Sequence, residues 1–347
     1  MKAARLHKVG APMKVEEIPS PKASGKKVVL KVKGAGMCYT DIHLQNGVLP
    51  LPMPVVLGHE IAGEVYEVGP EATGVKKGDH AVVHFWNACG SCAACVDGHP
   101  MLCLAAWADL GWGFGHDGGY AEECAVDSNR LVPVPKEVPL DFAATLGCAG
   151  ITAHHAVNII GESSPADTVV IYGLGGVGLY GLQFANVSGA TTIGVGRRPE
   201  KLRKAEQLGA SAVVDANKGK VEEEVKKAAG GKAPTLWIDF VSTPESAKQA
   251  AAALAPGGRY VVVGLGLNPI QFNPPDLVFR ELSVRGSLVG NQKEQADVIE
   301  LARAGKVKSV VTRTLPIDDI NEGLEHLKKG EVVGRSVVTP GGGRGSK

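Results

Sequence analysis

The chain has 347 residues, enough for two domains of ordinary size. Hydrophobic residues make up 44% and charged residues 21%, which excludes disordered, collagen-like and coiled-coil classes. With 37 basic and 36 acidic side chains the net charge is +1, so neither nucleic acid nor a membrane surface is expected as a partner.

The N-terminus, MKAARLHKVG, lacks an apolar stretch of signal-peptide length, and no apolar run approaches the ~20 residues of a membrane span. The expectation is a soluble, cytoplasmic protein, in which clustered cysteines point to metal or catalysis rather than disulfides. The first 150 residues read as β-rich and irregular. Short runs at Val28–Val32, Ile61–Val68, His80–His84 and Tyr120–Val126, punctuated by Gly and Pro, predict a mostly antiparallel half. The pattern changes near Ile151. Thr168–Tyr172 (TVVIY) is a continuous apolar run, as in a strand buried on both faces. After it come a helix through Ser188, a strand Thr191–Val195, a helix Pro199–Leu208, a strand Ala212–Asp215 and a helix Val221–Ala229. A strand Thr235–Phe240, a helix Glu245–Leu254 and a strand Arg259–Val263 complete the alternation, which predicts an α/β doubly wound parallel sheet. Beyond Val289 the pattern gives a helix at Gln292–Ala304, mixed structure and a loose tail, GGGRGSK.

Gly173-Leu-Gly-Gly-Val-Gly178 fits G-x-G-x-x-G, follows an apolar strand and opens a helix, the context that a dinucleotide fingerprint requires. Gly173 makes the tight turn, Gly175 lets backbone approach a pyrophosphate, Gly176 and Val177 belong to the same cofactor-binding turn, and Gly178 permits close helix–strand packing. An NAD-selective site carries Asp or Glu at the end of the next strand. Here the residues are Gly196, Arg197 and Arg198. Guanidinium groups suit a phosphate, so NADP(H) is expected over NAD(H). The residues alone leave open a solvated arginine loop in an enzyme that accepts both.

Cys89-x2-Cys92-x2-Cys95-x7-Cys103 gathers four thiols within fifteen residues. Four thiolates close a tetrahedral zinc shell, which makes a structural site. An iron–sulfur cluster or plain buried thiols are the alternatives. Cys38, His59, Glu60 and Cys148 form a second, dispersed set with no local spacing between its segments. Two Cys and one His with an open fourth position is a known catalytic zinc composition. Singly, Cys148 reads as core and His59–Glu60 as a hydrogen-bonded pair.

With these motifs in this order, the chain resembles the zinc-containing medium-chain alcohol dehydrogenases over essentially its whole length, with features of microbial and archaeal members. The resemblance implies a GroES-like catalytic domain at 1–152 and 289–347 and a Rossmann domain at 153–288, with the site in the cleft between them. It implies a catalytic zinc on Cys38, His59 and Cys148 with Glu60 close by, Asp41 orienting the histidine, and Thr40 and His43 relaying a proton. Tyr39, Thr152, Gly264, Leu265, Val289 and Arg335 are implied at the cofactor, although many relatives carry Arg or His where Tyr39 stands. Trp86 and Trp112 read equally as substrate-pocket walls or ordinary packing, and Cys124 as a core residue. The implied activity is hydride transfer between an alcohol and its aldehyde or ketone and NADP(H), in a dimer or tetramer. A polyol- or threonine-type dehydrogenase, or a non-catalytic protein that binds zinc and dinucleotide, are the alternatives.

Overall fold

The computed structural model describes residues 1–341; the rest of the tail, 342–347, lies outside the described residues. The chain forms two compact units, one of Met1–Ile151, Gly290–Ala304 and Val311 onward, the other of Thr152–Val289 and Gly305–Val310.

In the first unit β1 (Lys2–Leu6), β2 (Lys14–Glu17) and, after helix α1 (Tyr39–Gln45), β4 (Val55–Val56) form a small antiparallel sheet in the order β2-β1-β4. The main sheet is built on β3 (Lys27–Gly36), which pairs with β5 (Glu60–Val68) and β7 (Glu123–Asp127). In β3, Lys27, Lys31 and Lys33 point out while Val28, Leu30 and Val32 point in, the period-two pattern of a half-buried strand. β6 (His80–Val83) and β8 (Leu131–Pro133) extend the sheet beyond β5, and β15 (Val311–Leu315) and β16 (Arg335–Val338) extend it beyond β3. The antiparallel register sets Gly36 opposite Glu60 and Ala35 opposite Ile61. That register brings Cys38, just past β3, beside His59, just before β5.

Between β6 and β7 the chain makes short helical turns, α2 (Ala93–Val96), a 3-10 turn at Pro100–Leu102 and α3 (Leu104–Asp109). A helical run that sequence patterning did not anticipate follows β8. It comprises α4 (Leu140–Thr145), a π-helical turn at Leu146–Gly150, α5 (Ile151–His154) and a second π-helical turn at His155–Ile160. Gly147, Gly150 and the two widened turns break its 3.6 periodicity, so no helical repeat of apolar residues marks it in the sequence. α4 lies on β3, where a Cβ on Gly34 would sit 3.0 Å from the Asp141 Cα.

The second unit is the expected parallel sheet, in the order β11-β10-β9-β12-β13-β14. Its strands are β9 (Thr168–Tyr172), β10 (Thr191–Gly196), β11 (Ala212–Asp215), β12 (Leu236–Asp239), β13 (Arg259–Val262) and β14 (Ser283–Gly286). Helices α6 (Gly176–Val187), α7 (Pro199–Gln207), α8 (Val221–Ala228) and α9 (Pro244–Ala253) make the crossovers, and α10 (Pro274–Phe279) leads into β14, a last pair absent from the sequence expectation. Val170, Ile193, Val195, Trp237 and Tyr260 fill the interior, with Tyr172 stacked on Trp237 at 5.7 Å. Strand order reverses between β9 and β12, the switch point at which such sheets open toward ligands. Returning to the first unit, α11 (Gln292–Arg303) and α12 (Ile320–Lys328) flank β15. Among the described residues no helix is long and apolar enough to cross a membrane.

Candidate active site and metal centres

Three segments converge in the first unit. Cys38 caps α1, and its backbone N–H donates to the Asp41 carboxylate at 2.9 Å, closing the first turn of that helix. His59 enters from Gly58, whose φ of +89° suits glycine. Cys148 comes from the π-helical turn, where the widened backbone carries its thiol inward. One ligand atom from each of Cys38, His59, Glu60 and Cys148 lies within 4.8 Å of all the others, and all four residues are buried. Asp41 Oδ1 lies 3.4 Å from His59 Nδ1, so Nε2 is the nitrogen left for the thiols. Phe85 and Phe114 flank the imidazole, with ring centroids at 5.0 and 4.9 Å.

The electrostatics suit a cation. The Cys38 thiol is held well below the usual range: the hydrogen bond from Cys148 outweighs burial, and Arg335 and His59 assist. Burial opposes the charged form of His59, but hydrogen bonds to Asp41 and Cys38 carry it up to about 10. Burial lifts Glu60 to about 7 against the pull of Arg335. Two thiols, an imidazole and a carboxylate brought together in a dry core are a donor set that zinc satisfies.

Thr40 Oγ1 is 3.4 Å from Cys38 Sγ, and His43 lies one turn along α1, edge-on to Tyr39 at 5.2 Å. Thr40 and His43 are half-buried and Tyr39 is exposed. Trp86 is buried, edge-on to Phe85 and Trp107. Trp112 donates its indole N–H to Ala125 O at 2.8 Å, and its ring walls a groove with Met1, Ile18, Pro19 and Cys124. Arg335 is 4% exposed and pairs with Glu60 through Nη2 and through Nε at 3.3 Å. Removing it would strand a buried carboxylate at a cost of about 3–5 kcal/mol.

In the second cluster, the thiols of Cys89, Cys92, Cys95 and Cys103 also lie within 4.8 Å of one another. Cys92 Sγ is 3.5 Å from Cys95 Sγ, and the Cys89 and Cys92 N–H groups donate to Cys103 Sγ and Cys89 Sγ, each at 3.4 Å. Backbone N–H groups of Ser91 and Cys92 bring Cys89 down to about 6. None of the seven cysteines forms a disulfide, and Cys124 is buried on β7, its thiol pushed up to about 12 by burial.

In the second unit, Gly173 turns with φ +97° and Gly175 caps α6 with nothing within 4 Å of where a Cβ would sit. No side chain caps α6, which leaves its first N–H groups without a side-chain acceptor. A Cβ on Gly178 would collide with Gly173 O, and one on Gly264 would fall 2.7 Å from the Phe240 and Val241 backbone, so these glycines serve close packing. Leu265 is exposed, Thr152 half-buried, and Val289 buried with φ +50°. Gly196 ends β10 in register with Asp215.

Comparison with known proteins decides the family. The Alcohol dehydrogenase GroES-like domain model matches residues 24–136, and the Zinc-binding dehydrogenase model matches 176–304. An NAD-dependent alcohol dehydrogenase of Sulfurisphaera tokodaii is 36% identical over 98% of this chain and 100% of its own length. The chain belongs to the zinc-containing medium-chain alcohol dehydrogenase family. An alcohol dehydrogenase of Geobacillus stearothermophilus is 34% identical over 97% of this chain and 99% of its own. The crystal structure of the alcohol dehydrogenase from Aeropyrum pernix superposes with a TM-score of 0.90 at 35% identity, covering 98% of this chain and 100% of that one. As a member of the family, this chain is a zinc alcohol dehydrogenase that works with a nicotinamide dinucleotide. Sequence reasoning missed Phe85, Phe114 and Tyr120 around its cluster, because no local spacing ties them to Cys38 or His59.

Proposed function

We propose that this alcohol dehydrogenase prefers NADP(H), holds a catalytic zinc on Cys38, His59 and Cys148 with Glu60 adjacent, and holds a structural zinc on Cys89, Cys92, Cys95 and Cys103. The observation that carries the catalytic assignment is the convergence of four buried donors from three separate segments beside the Thr40 hydroxyl. Zinc bound there supplies Lewis acidity toward an alcohol or carbonyl oxygen. Asp41 fixes the His59 ring through Nδ1, and Phe85 and Phe114 keep water from it. The Thr40 hydroxyl would accept the hydrogen bond of the substrate hydroxyl and release its own proton as it receives the substrate's, at the buried end of a relay whose outer end is the half-buried His43 imidazole, which passes a proton to solvent. The nicotinamide carries the redox chemistry; the 173–178 turn and the N-terminus of α6 hold its pyrophosphate.

The cofactor preference rests on charge. Gly196 offers no carboxylate for a ribose hydroxyl. Its neighbour in register, Asp215, already accepts from Asn217 N at 3.0 Å and Nδ2 at 2.9 Å and pairs with Lys218 at 3.5 Å. Arg197 and Arg198 follow, with Glu200 3.9 Å from Arg198 as a distant counter-charge. Steady-state kinetics with a primary alcohol should give a kcat/KM at least about tenfold higher with NADP than with NAD, the worth of one charge-assisted hydrogen bond. Gly196→Asp with Arg197→Leu should reverse the ratio. Equal values in the parent enzyme, or an unmoved ratio in the variant, would reject this reading of the loop.

A further inference from the structure

We infer that Tyr120 is a positioning residue for the catalytic metal and acts through Asp41. The inference rests on Cys38, His59 and Cys148 being that metal's ligands. Tyr120 is fully buried. Its hydroxyl donates to Asp41 Oδ2 at 2.7 Å and lies 3.3 Å from Gly36 O. The same Oδ2 accepts the Cys38 N–H at 2.9 Å, while Oδ1 faces His59 Nδ1 at 3.4 Å. One carboxylate therefore meets the backbone of one ligand and the ring of another. With two donors on Oδ2, its remaining oxygen is turned to the imidazole.

The rest of Tyr120 ties in the second ligand segment. Its backbone N–H donates to Leu57 O at 3.1 Å, two residues before His59. Its ring fills the space in front of Gly58, where a Cβ would fall 2.7 Å from Cδ1. The side chain thus spans from Leu57–Gly58 to Gly36 and Asp41, the two stretches that deliver His59 and Cys38. A phenol that donates to a buried carboxylate makes a charge-assisted bond, and groups that orient a metal-binding histidine typically change metal affinity 10–100-fold when removed. A tyrosine that only filled the core would be replaced by phenylalanine without effect on the metal.

The test is zinc release. Tyr120→Phe keeps the ring; preparing it in excess zinc favours the folded, loaded state even if the variant is less stable. On transfer into a chromophoric chelator, the phase that is missing in Cys38→Ala should speed up about tenfold. The phase from the four-cysteine lobe should not change, and the visible bands of the cobalt-substituted enzyme should shift. In an Asp41→Asn background the same substitution should add less than about twofold, because the two act in series. An unchanged release rate in Tyr120→Phe overturns the inference, as does an equal acceleration in the Asp41→Asn background. If Cys38→Ala keeps both phases, the ligand assignment itself fails and the inference falls with it, an outcome distinct from the other two.

Discussion

The four cysteines of the 89–103 lobe come from fifteen consecutive residues, whereas Cys38, His59, Glu60 and Cys148 are delivered by a strand end, a strand start and a π-helical turn. The surroundings differ as sharply. In the lobe, Val96, Leu102 and Leu104 are 76%, 56% and 83% exposed, and only Met101, Cys103 and Ala106 of the 93–109 stretch are buried. Few apolar contacts hold its short turns together, so the proposed metal would carry much of their fold. The dispersed cluster has the reverse arrangement: its four candidate ligands are buried where β3, β5, α4 and the π-helical turn pack together. A metal that supplies the fold of a lobe and a metal that is held by a fold should fail differently when a ligand is lost.

The largest effect is expected from Cys38→Ala. It should lower kcat/KM by at least about a thousandfold, ~4 kcal/mol of barrier, while Tm moves by no more than a few degrees. Near-normal activity would break the comparison. Cys103→Ser should do the opposite: a Tm lower by about 5–10 °C, with kcat of the folded protein near the parent value when measured cold. Differential scanning fluorimetry beside initial rates reads both. Thr40→Val should cost about 10–100-fold in kcat with zinc content intact, and Thr40→Ser should recover most of it; a loss of zinc in the valine variant would move Thr40 from proton handling to metal retention.

The smallest effect concerns acid. His84 is buried, its Nδ1 2.8 Å from Gln295 Oε1, and burial drops it to about 4 despite that bond. An imidazole whose folded pKa lies below its unfolded value near 6.5 gives full stability above pH 6.5 and loses it as pH falls toward 4. At pH 5.5 the loss is about 1 kcal/mol, visible as a lower urea midpoint that His84→Gln should partly abolish. An unaltered acid limb in that variant would place the sensitivity elsewhere.

The same contrast explains what could be read from the chain. The Cys89–Cys103 spacing and the 173–178 turn are local, so their residue types and intervals sufficed, and the alternating elements from Thr168 to Val262 fell where apolar runs and turn residues put them. The catalytic cluster depends on the register of β3 against β5 and on a helical run from 140 to 160 that patterning missed; only likeness to a family pointed to it. Contacts between distant segments, such as the Trp112 indole N–H to Ala125 O and the Arg335 guanidinium to Glu60, carry no local spacing and are likewise not legible in the chain.

Zinc content per chain in the parent protein, Cys38→Ala and Cys103→Ser, measured beside turnover, tests the two-metal account most directly. The account predicts two, one and one zinc atoms, with turnover abolished only in Cys38→Ala. Two zinc atoms retained in Cys38→Ala, or turnover lost in Cys103→Ser while the protein stays folded, would contradict it.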